Sequence, residues 1–181
     1  MTAPSHTIFL ARAALDTAVA HRTAAFPTET GGILLGFRAH DLVVVTRVLA
    51  VADPRATRFG YLRHRRRAQA RMAVALSDAL PVIGYVGEWH THPADAGPSK
   101  TDLRAVGATA RLAEGPVALI VLAGPDAQPA TVYGAVAVRQ DFWPIAAINP
   151  VEVISVEVDI TDDSVASLEV EAAALTERER S

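Results

Sequence analysis

The spacing of apolar and polar residues along the chain predicts alternating helices and strands. Apolar residues recur at helical spacing over about residues 8–23. A stretch rich in Ala, Arg and Leu, without Gly or Pro, favours a second helix over about residues 61–80. Short runs rich in Val, Ile and Leu predict strands at about 33–37, 42–51, 82–89, 117–122 and 131–138. The first two strands are close enough in sequence to form a hairpin.

The remaining segments complete a single-domain α/β (α+β) pattern. A third helix is predicted over about residues 99–112, and two prolines favour a loop over about 141–150. Residues 151–160 alternate Val and Ile with polar side chains, as expected of a half-exposed edge strand. Residues 161–181 are expected to form a weak helix or a frayed end.

Composition excludes several classes of protein. Of the 181 residues, 50% are hydrophobic and 20% are charged, which is typical of a soluble globular domain. The longest apolar runs have the length of strands, well short of the roughly 20 residues that span a bilayer, so neither a membrane protein nor a signal peptide is expected. The chain contains no cysteine, which excludes disulfides and thiolate ligands and makes a cytoplasmic location the expectation.

Charge is distributed unevenly along the chain. Residues 151–181 contain nine acidic residues and two arginines, a charge of −7, whereas the whole chain has a net charge of −3. Arginines gather instead within residues 63–67 and at Arg71. We expect this basic segment to pair with the acidic end, with phosphates or an acidic partner surface as the alternative. The lack of interleaved aromatic residues argues against a nucleic acid partner. The acidic end is expected to be solubilising, or else to add a strand to a partner's sheet.

Two histidines at the end of a predicted strand are the first candidates for chemistry. His90 and His92, in the run from Gly87 to Pro93, are two residues apart, so their side chains point to the same side of the strand. Asp102 follows ten residues after His92 and can close on the pair as a third ligand. Three protein ligands leave the fourth tetrahedral position of zinc open, which distinguishes a catalytic zinc site from a structural one.

Each of these residues also has an ordinary structural explanation. Paired strand histidines occur as half-buried residues without a metal, and Asp102 with Ser99 has the Ser-x-x-acid spacing of a helix capping box. A capped helical turn can nevertheless hold its carboxylate towards a metal. Strand alternation predicts that Trp89 and Thr91 pack into the protein. Glu88 lies on the side of the histidines, as a solvated carboxylate or as the partner of a histidine N–H.

A loop glutamate completes a recognisable combination, although alone it would be an ordinary surface residue. The combination joins a glutamate before a Gly-Gly strand, a His-x-His-Pro strand end and a Ser-x-x-Asp helix start. Its residues are Glu29, Gly31, Gly32, His90, His92, Pro93, Ser99 and Asp102. The combination resembles the JAMM motif of the MPN-type (JAB-type) zinc metallopeptidases, in their bacterial single-domain branch. The resemblance runs from the first helix to the strands after Leu112, and the loop over 92–99 is about one residue shorter than in familiar members.

The resemblance implies a fold and a division of the chain. Residues 1–150 would form a JAMM/MPN-type metallopeptidase domain with a central curved β-sheet flanked by helices, in the three-layer arrangement of cytidine deaminases. Residues 151–181 would then be an acidic strand and tail that packs on this domain or extends from it.

The resemblance also implies a role for each site residue. His90, His92 and Asp102 would hold one Zn²⁺ per chain, with water as the fourth ligand. Glu29 would be the general base that takes a proton from this water and passes it to the departing amine. Ser99 would donate a hydrogen bond to the oxyanion that forms on the attacked carbonyl.

The function implied by the resemblance is hydrolysis of peptide or isopeptide bonds at the C-terminus of a ubiquitin-like protein or its conjugate. Bacterial members act beside ubiquitin-activating-like enzymes, in sulfur-carrier processing or in antiviral conjugation systems. Two alternatives stay open. Relatives of this fold serve as non-catalytic scaffolds, although these typically lack the ligands, and the DNA-associated RadC proteins have a similar His-x-His-Pro run.

Overall fold

The protein is described by a computed structural model that covers residues 6–39, 41–128, 130–140 and 150–179, with side chains up to residue 174. These residues form one curved sheet surrounded by helices. The strands are β1 (Thr7–Ala11), β2 (Gly31–Ala39), β3 (Leu42–Ala50), β4 (Gly84–His92), β5 (Val117–Ala123), β6 (Thr131–Arg139), β7 (Val151–Val156) and β8 (Val158–Thr161). The helices are α1 (Arg12–Ala25), α2 (Arg65–Leu76), α3 (Lys100–Ala110) and α4 (Val165–Glu179). None of the described helices is long and apolar enough to cross a membrane.

The sheet has the order β7-β6-β5-β4-β2-β3-β1-β8. β4 lies inside it, antiparallel to β2 and parallel to β5. β7 and β8 are neighbours along the chain but lie at opposite edges, so the sheet curls until β8 approaches β6. Gly134 of β6 permits this approach, because a Cβ added there would lie 2.6 Å from a methyl carbon of Val158. The predicted α/β fold with a central curved sheet and flanking helices is confirmed.

Strand β5 runs through the hydrophobic core, and every one of its residues is buried. A strand buried on both sides reads as a continuous apolar run, and β5 has this pattern. Helix α1 contributes Leu15 and Ala18 to the cluster that contains Trp89 of β4. Helix α3 contributes Val106 and Ala110 to a second cluster with β5 and β6. Each large side chain buried in this way contributes about 1.5–3 kcal/mol.

The first helix begins later than the spacing predicts. Residues 8–10 belong to β1, and α1 begins at Arg12. Ile8 and Leu10 are buried because β1 pairs in parallel with β3 on one side and with β8 on the other. Pairing between segments so distant in sequence overrides local helical spacing.

The second helix is shorter than predicted at both ends, because residues 61–64 and 77–80 are not helical. Asp53 accepts the backbone N–H of Leu62 at 2.9 Å and lies 3.3 Å from Nε2 of His64. These contacts hold the chain out of helical geometry until Arg65, where α2 begins. The hairpin of β2 and β3, the strands β4, β5 and β6 and helix α3 lie close to their predicted positions.

The C-terminal segment differs from its prediction. Residues 151–160 contribute to two strands at opposite edges of the sheet, and the prediction of a single edge strand is wrong. Helix α4 follows and buries Leu168 and Ala172, packing against β2 and β3. The loop predicted over 141–150 lies outside the described residues except for Pro150.

The acidic end pairs with arginines other than those predicted. Its ion pairs are Arg12–Asp162 at 3.0 Å and Arg47–Glu169 at 2.7 Å. Arg63 lies instead 2.6 Å from Glu88 of β4. For the described side chains, the predicted pairing of residues 63–67 with the acidic end is therefore wrong, because α4 packs beside β2 and β3 and so meets Arg47.

Candidate metal centre

Strand β4 fixes the two histidines. Trp89 and Thr91 are buried, and Trp89 donates its indole N–H to the carbonyl of Leu49 at 3.3 Å. Strand alternation turns His90 and His92 to the opposite face, where both are partly buried. The predicted packing of Trp89 and Thr91 is confirmed, and it anchors the two imidazoles on a strand inside the sheet.

Helix α3 brings the third candidate ligand to the same place. The hydroxyl of Ser99 accepts the backbone N–H of Asp102 at 3.2 Å, and the Asp102 carboxylate accepts the backbone N–H of Ser99 at 2.7 Å. This is a complete capping box, and its N-cap contributes about 1 kcal/mol to stability. The carboxylate oxygen in the cap, Oδ2, is also the atom that faces both histidines. The cap and the ligand interpretations are therefore compatible.

The three side chains form a triangle of suitable size for a metal ion. Nε2 of His90 lies 3.0 Å from Nε2 of His92, and Oδ2 of Asp102 lies 3.5 and 3.6 Å from these nitrogens. Tetrahedral zinc with bonds of about 2.0–2.1 Å separates neighbouring ligand atoms by roughly 3.3 Å. Two imidazoles and one carboxylate are also a donor set that zinc uses when it keeps an open position. The three residues therefore fit zinc in spacing and in chemistry.

Hydrogen bonds around the triangle prepare the ligand atoms. Nδ1 of His92 lies 2.9 Å from the carbonyl oxygen of Ala96, which can only accept, so in the neutral ring the proton sits on Nδ1 and Nε2 keeps its lone pair. Burial raises the pKa of Asp102, but hydrogen bonds from Ser99 and from the two histidines, when these carry a proton on Nε2, outweigh burial and hold this pKa well below its usual range. The carboxylate is therefore ionised at neutral pH, as ligation requires. The hydrogen bond with Asp102 raises the pKa of His92, so protons compete with a metal for Nε2.

Glu29 reaches the same cleft from the loop before β2. Two hydrogen bonds clamp this loop to β4, because Thr30 donates its N–H to the Thr91 hydroxyl at 3.0 Å and accepts the Thr91 N–H at 2.9 Å. The N–H of Glu29 donates to the carbonyl of Thr57 at 2.9 Å. Only 9% of Glu29 is exposed, and burial raises the pKa of its carboxyl against the lowering effect of the two histidines. A raised pKa suits a carboxylate that transfers protons near neutral pH.

Gly31 lets β2 lie close against the ligand strand. It pairs with His90, and a Cβ added to Gly31 would lie 2.7 Å from the ring of Tyr61 and 2.8 Å from Cβ of His90. A side chain at this position would therefore overlap the carbonyl oxygen of Trp89 and displace Tyr61 or His90. The site therefore requires glycine at position 31 for steric reasons.

The five predicted site residues line one open cleft of about 460 Å³. The loop after β4 bounds it on one side, and the β3–α2 loop, residues 51–64, bounds it on the other. Three separate segments of the chain meet here: the loop before β2, the end of β4 and the start of α3. The residues brought together are Glu29, His90, His92, Ser99 and Asp102.

The β3–α2 loop is a part of the cleft that sequence reasoning missed. A tight turn bonded between Thr57 and Gly60 places Phe59 at the rim of the cleft, and 84% of Phe59 is exposed. Tyr61 also lines the cleft and donates its hydroxyl to the carbonyl of Val51 at 2.8 Å. An exposed aromatic residue after an Asp-Pro turn gives a weak local signal, so only the three-dimensional structure assigns these residues to the cleft.

Glu88 has partners other than those expected from the sequence. Its Oε1 accepts hydrogen bonds from Arg63 at 2.6 Å, from the Tyr85 hydroxyl at 3.1 Å and from the Thr109 hydroxyl at 3.3 Å. The expectation of a solvated carboxylate is wrong, because α3 and the β3–α2 loop both reach this part of β4. Glu88 therefore ties the loop and α3 to the ligand strand, beside a smaller cavity of about 200 Å³ that His90 also lines.

Fold and site together define an α/β protein with a curved sheet that presents two strand histidines, a helix-capping aspartate and a loop glutamate to one cleft. Residues 11–146 match the family described as prokaryotic homologs of the JAB domain. The chain therefore belongs to this JAB/MPN-type family, as the motif resemblance predicts. Among curated proteins, none matches the sequence.

A solved structure shares the fold. The protein DSY2949 from Desulfitobacterium hafniense, determined in solution, superposes with a TM-score of 0.62 and 18% sequence identity. The match covers 87% of this chain and 94% of that one. At this identity the likeness concerns the fold, while function has to be argued from the site.

Proposed function

We propose that this protein is a zinc-dependent metallopeptidase that hydrolyses peptide or isopeptide bonds at the C-terminus of a ubiquitin-like protein. The main support is the shared cleft, in which a buried glutamate, two strand histidines and a capped aspartate meet. Membership of the JAB domain family adds support, since this family includes metallopeptidases.

His90, His92 and Asp102 are the proposed zinc ligands. When bound, zinc supplies a Lewis acid that polarises a carbonyl and lowers the pKa of water at its open position. The protein orients each ligand beforehand: the buried neighbours on β4 hold the histidines, and the capping box holds the aspartate. The carbonyl of Ala96 further fixes the ring of His92. Such preorganisation is what a catalytic metal site requires.

Glu29 moves the proton in the proposed reaction. Its carboxylate accepts a proton from the attacking water and gives it to the amine that leaves, so one group acts as base and then as acid. The clamp between Thr30 and Thr91 fixes Glu29 on the histidine side, and the bond to Thr57 fixes it on the side of the β3–α2 loop. A partly desolvated carboxyl with a raised pKa suits both halves of this role.

Ser99 stabilises the negative charge that develops on the attacked carbonyl oxygen. In the helix cap the Ser99 oxygen is the acceptor for the Asp102 N–H, so its own hydroxyl proton can be donated into the cleft. A hydrogen-bond donor that faces the developing negative charge increases kcat by a factor of roughly 10²–10³. Ser99 therefore combines a structural and a chemical role in the proposal.

An extended C-terminal tail is the substrate shape that the cleft favours. The cleft is open to solvent, and the β3–α2 loop places Arg58 and the exposed Phe59 at its rim. An extended chain can pass between this loop and the start of α3 while a folded body stays outside. Such a tail is what a ubiquitin-like protein presents. We place the reaction in the cytoplasm, beside a ubiquitin-activating-like enzyme of the same sulfur-carrier or conjugation system.

A trap variant tests this proposal. Glu29→Gln removes the proton acceptor and keeps the three ligands, so the zinc-loaded variant should hold its substrate without cutting it. The tagged variant is produced in its host, cross-linked, purified and analysed by mass spectrometry. The double variant Glu29→Gln/His92→Ala is the matched control, because it lacks a ligand in the same cleft.

The expected result is a ubiquitin-like protein or its conjugate recovered with the trap but not with the double variant. The wild-type enzyme should then cut the recovered protein at its C-terminal tail. Identical proteins recovered with both variants would contradict the proposal. A wild-type protein that binds no zinc and leaves every recovered conjugate intact would favour a non-catalytic scaffold.

A further inference from the structure

The loop between β4 and α3 determines how two site residues are oriented. Residues 93–98, all of them described, belong to no helix or strand. The Ala96 carbonyl in this loop lies 2.9 Å from Nδ1 of His92, and the loop ends at Ser99, the cap of α3. The partner of the second ring nitrogen sets the orientation of a ligating histidine. The path of this loop therefore decides where Nε2 of His92 points.

The first half of the loop is anchored to the core through Gly124. The N–H of Gly124 donates to the carbonyl of Ala94 at 3.0 Å, and its own carbonyl accepts from the buried Arg22 at 2.7 Å. This backbone anchor lies before Ala96. Within the loop, the N–H of Ala96 donates to the same Ala94 carbonyl at 2.9 Å, and the residues on either side of Ala96 have a further contact with β6.

Tyr133 of β6 supplies that contact on both sides of Ala96. Its hydroxyl donates to Oδ1 of Asp95 at 3.0 Å. Its ring lies against Gly97, where an added Cβ would come within 3.2 Å of Cδ1 and 3.4 Å of Cγ of the ring. Asp95 and Gly97 are the immediate neighbours of Ala96, so the ring and the hydroxyl together fix the peptide that faces His92.

We infer that Tyr133 is a positioning residue for the metal centre, which holds the Ala96 carbonyl against His92 through Asp95 and Gly97. This inference rests on the proposed zinc site. It goes beyond that proposal by adding to the site a residue from a strand that holds none of the proposed ligands. The competing explanation is a tyrosine–aspartate hydrogen bond that serves only general stability.

Zinc affinity separates the two explanations. Chelator competition measures the zinc dissociation constant of the wild type, Tyr133→Ala and Tyr133→Phe, with Thr131→Ala as the matched control from an exposed position two residues away on β6. Loss of a group bonded directly to a ligand costs about 10–100-fold in metal affinity, and because Tyr133 acts through Ala96 we expect Tyr133→Ala to lose about tenfold, the low end of this range. Tyr133→Phe keeps the ring against Gly97 and should lose less zinc affinity than Tyr133→Ala. Thr131→Ala should bind zinc as tightly as the wild type does.

A zinc dissociation constant of Tyr133→Ala within twofold of the wild type would overturn the inference. A loss of thermal stability in the metal-free protein without a change in zinc affinity would also overturn it. If Tyr133→Ala does not fold, Asp95→Ala removes the acceptor of the same hydrogen bond while keeping the tyrosine ring. Asp95→Asn keeps an acceptor oxygen and should restore the affinity.

A second readout needs no metal. In metal-free protein labelled with ¹⁵N-histidine, NMR should show a proton on Nδ1 of His92 that exchanges slowly because Ala96 accepts it. We expect this protection in the wild type and Thr131→Ala and its loss in Tyr133→Ala. Equal protection in all three would contradict the inference. A wild type that shows the protected proton but binds no zinc would contradict the proposed function and leave the positioning contact supported.

Discussion

The two sides of the cleft are built in different ways. On the ligand side, His90 and His92 belong to a strand inside the sheet, and Asp102 belongs to a capped helical turn. On the other side, the β3–α2 loop leaves Phe59 and Leu62 84% and 68% exposed. Its first residue, Val51, is buried in the core, whereas the loop after it is held largely by polar contacts, among them those of Asp53. Segments with few buried apolar contacts open locally at a low free-energy cost.

This difference separates chemistry from recognition. Catalytic groups must stay within a fraction of an ångström of their productive positions, which a buried strand and a capped helix provide. Loops on a rigid scaffold tolerate variation and commonly contact substrates. We therefore expect substitutions on the ligand side to lower kcat, and substitutions in the β3–α2 loop to raise KM.

The largest effect is expected from Glu29, which is clamped to the ligand strand. Glu29→Gln should lower kcat by roughly 10²–10⁴-fold, because the proton acceptor is lost, with little change in KM. Steady-state kinetics on the substrate recovered with the trap measure both constants. Glu114→Gln, at an exposed position after α3, is the control and should be unchanged. A kcat of Glu29→Gln within tenfold of the wild type would remove Glu29 from the proton transfer.

A somewhat smaller effect is expected from Ser99. Ser99→Ala should lower kcat by roughly 10²–10³-fold and should also cost about 1 kcal/mol of stability through the lost cap. Ser164→Ala is a matched control, because the Ser164 hydroxyl accepts the Ser167 N–H at 3.1 Å at the start of α4. Ser164→Ala should lose about as much stability as Ser99→Ala, and its kcat should equal that of the wild type. Equal rates for the two variants would mean that Ser99 is only a helix cap.

On the other side of the cleft, Asp53→Ala should loosen the loop while the clamp between Thr30 and Thr91 keeps Glu29 in place. The N–H groups of Arg55 and Leu62 lose their acceptor, at a cost of about 1 kcal/mol, because both bonds are exposed and water can replace the carboxylate. Hydrogen exchange should quicken over residues 55–62, and KM should rise more than kcat falls. Asp78→Ala, from an exposed position, is the control. A fall in kcat with unchanged KM would contradict the division between the two sides.

The same carboxylate gives the loop a dependence on pH. Hydrogen bonds from the N–H groups of Arg55 and Leu62 lower the pKa of Asp53. A depressed pKa in the folded state adds stability above the unfolded pKa of about 3.9, and this stability is lost as the pH falls through the folded pKa. Denaturant unfolding measures the free energy of unfolding of wild type and Asp53→Ala. The difference between the two free energies should be constant near neutrality and should shrink below about pH 3.9. A difference in the free energy of unfolding that grows in acid would contradict a lowered pKa of Asp53 in the folded protein.

The smallest effect is expected from the tip of the loop. Phe59→Ser should raise KM by roughly 3–10-fold, as truncation of an aromatic contact does, and should leave the melting temperature unchanged because the side chain is exposed. Leu112→Ser, equally exposed but distant in sequence from the loop, is the control. An unchanged KM would show that the substrate does not use this rim.

The ligand side could be predicted from the sequence because its determinants are local. Alternation along β4 sets the direction of His90 and His92 within three residues. The Ser-x-x-Asp cap sets the place of Asp102 within four residues. Glu29 needed the motif as a whole, since its clamp joins Thr30 to Thr91, sixty-one positions away.

Strand β1 and the β3–α2 loop could not be predicted, because their contacts join distant segments. β1 exists as a strand only between β3 and β8, and local spacing at 8–10 suggests a helix instead. Glu88 meets Arg63 only once the β3–α2 loop has folded back on β4. The exposed Phe59 has no burial pattern that would mark it. Spacing predicts which residues share a face, and it does not predict which surfaces meet.

The zinc content of the purified protein tests the central claim most directly. Wild type, Glu29→Gln and His92→Ala are saturated with zinc, dialysed against metal-free buffer and measured by elemental analysis. We predict about one zinc per chain in the wild type and in Glu29→Gln, and little zinc in His92→Ala, because three protein ligands with an open fourth position make one site. Full retention of zinc by His92→Ala, or none in the wild type, would contradict the assignment of this cleft as a zinc centre.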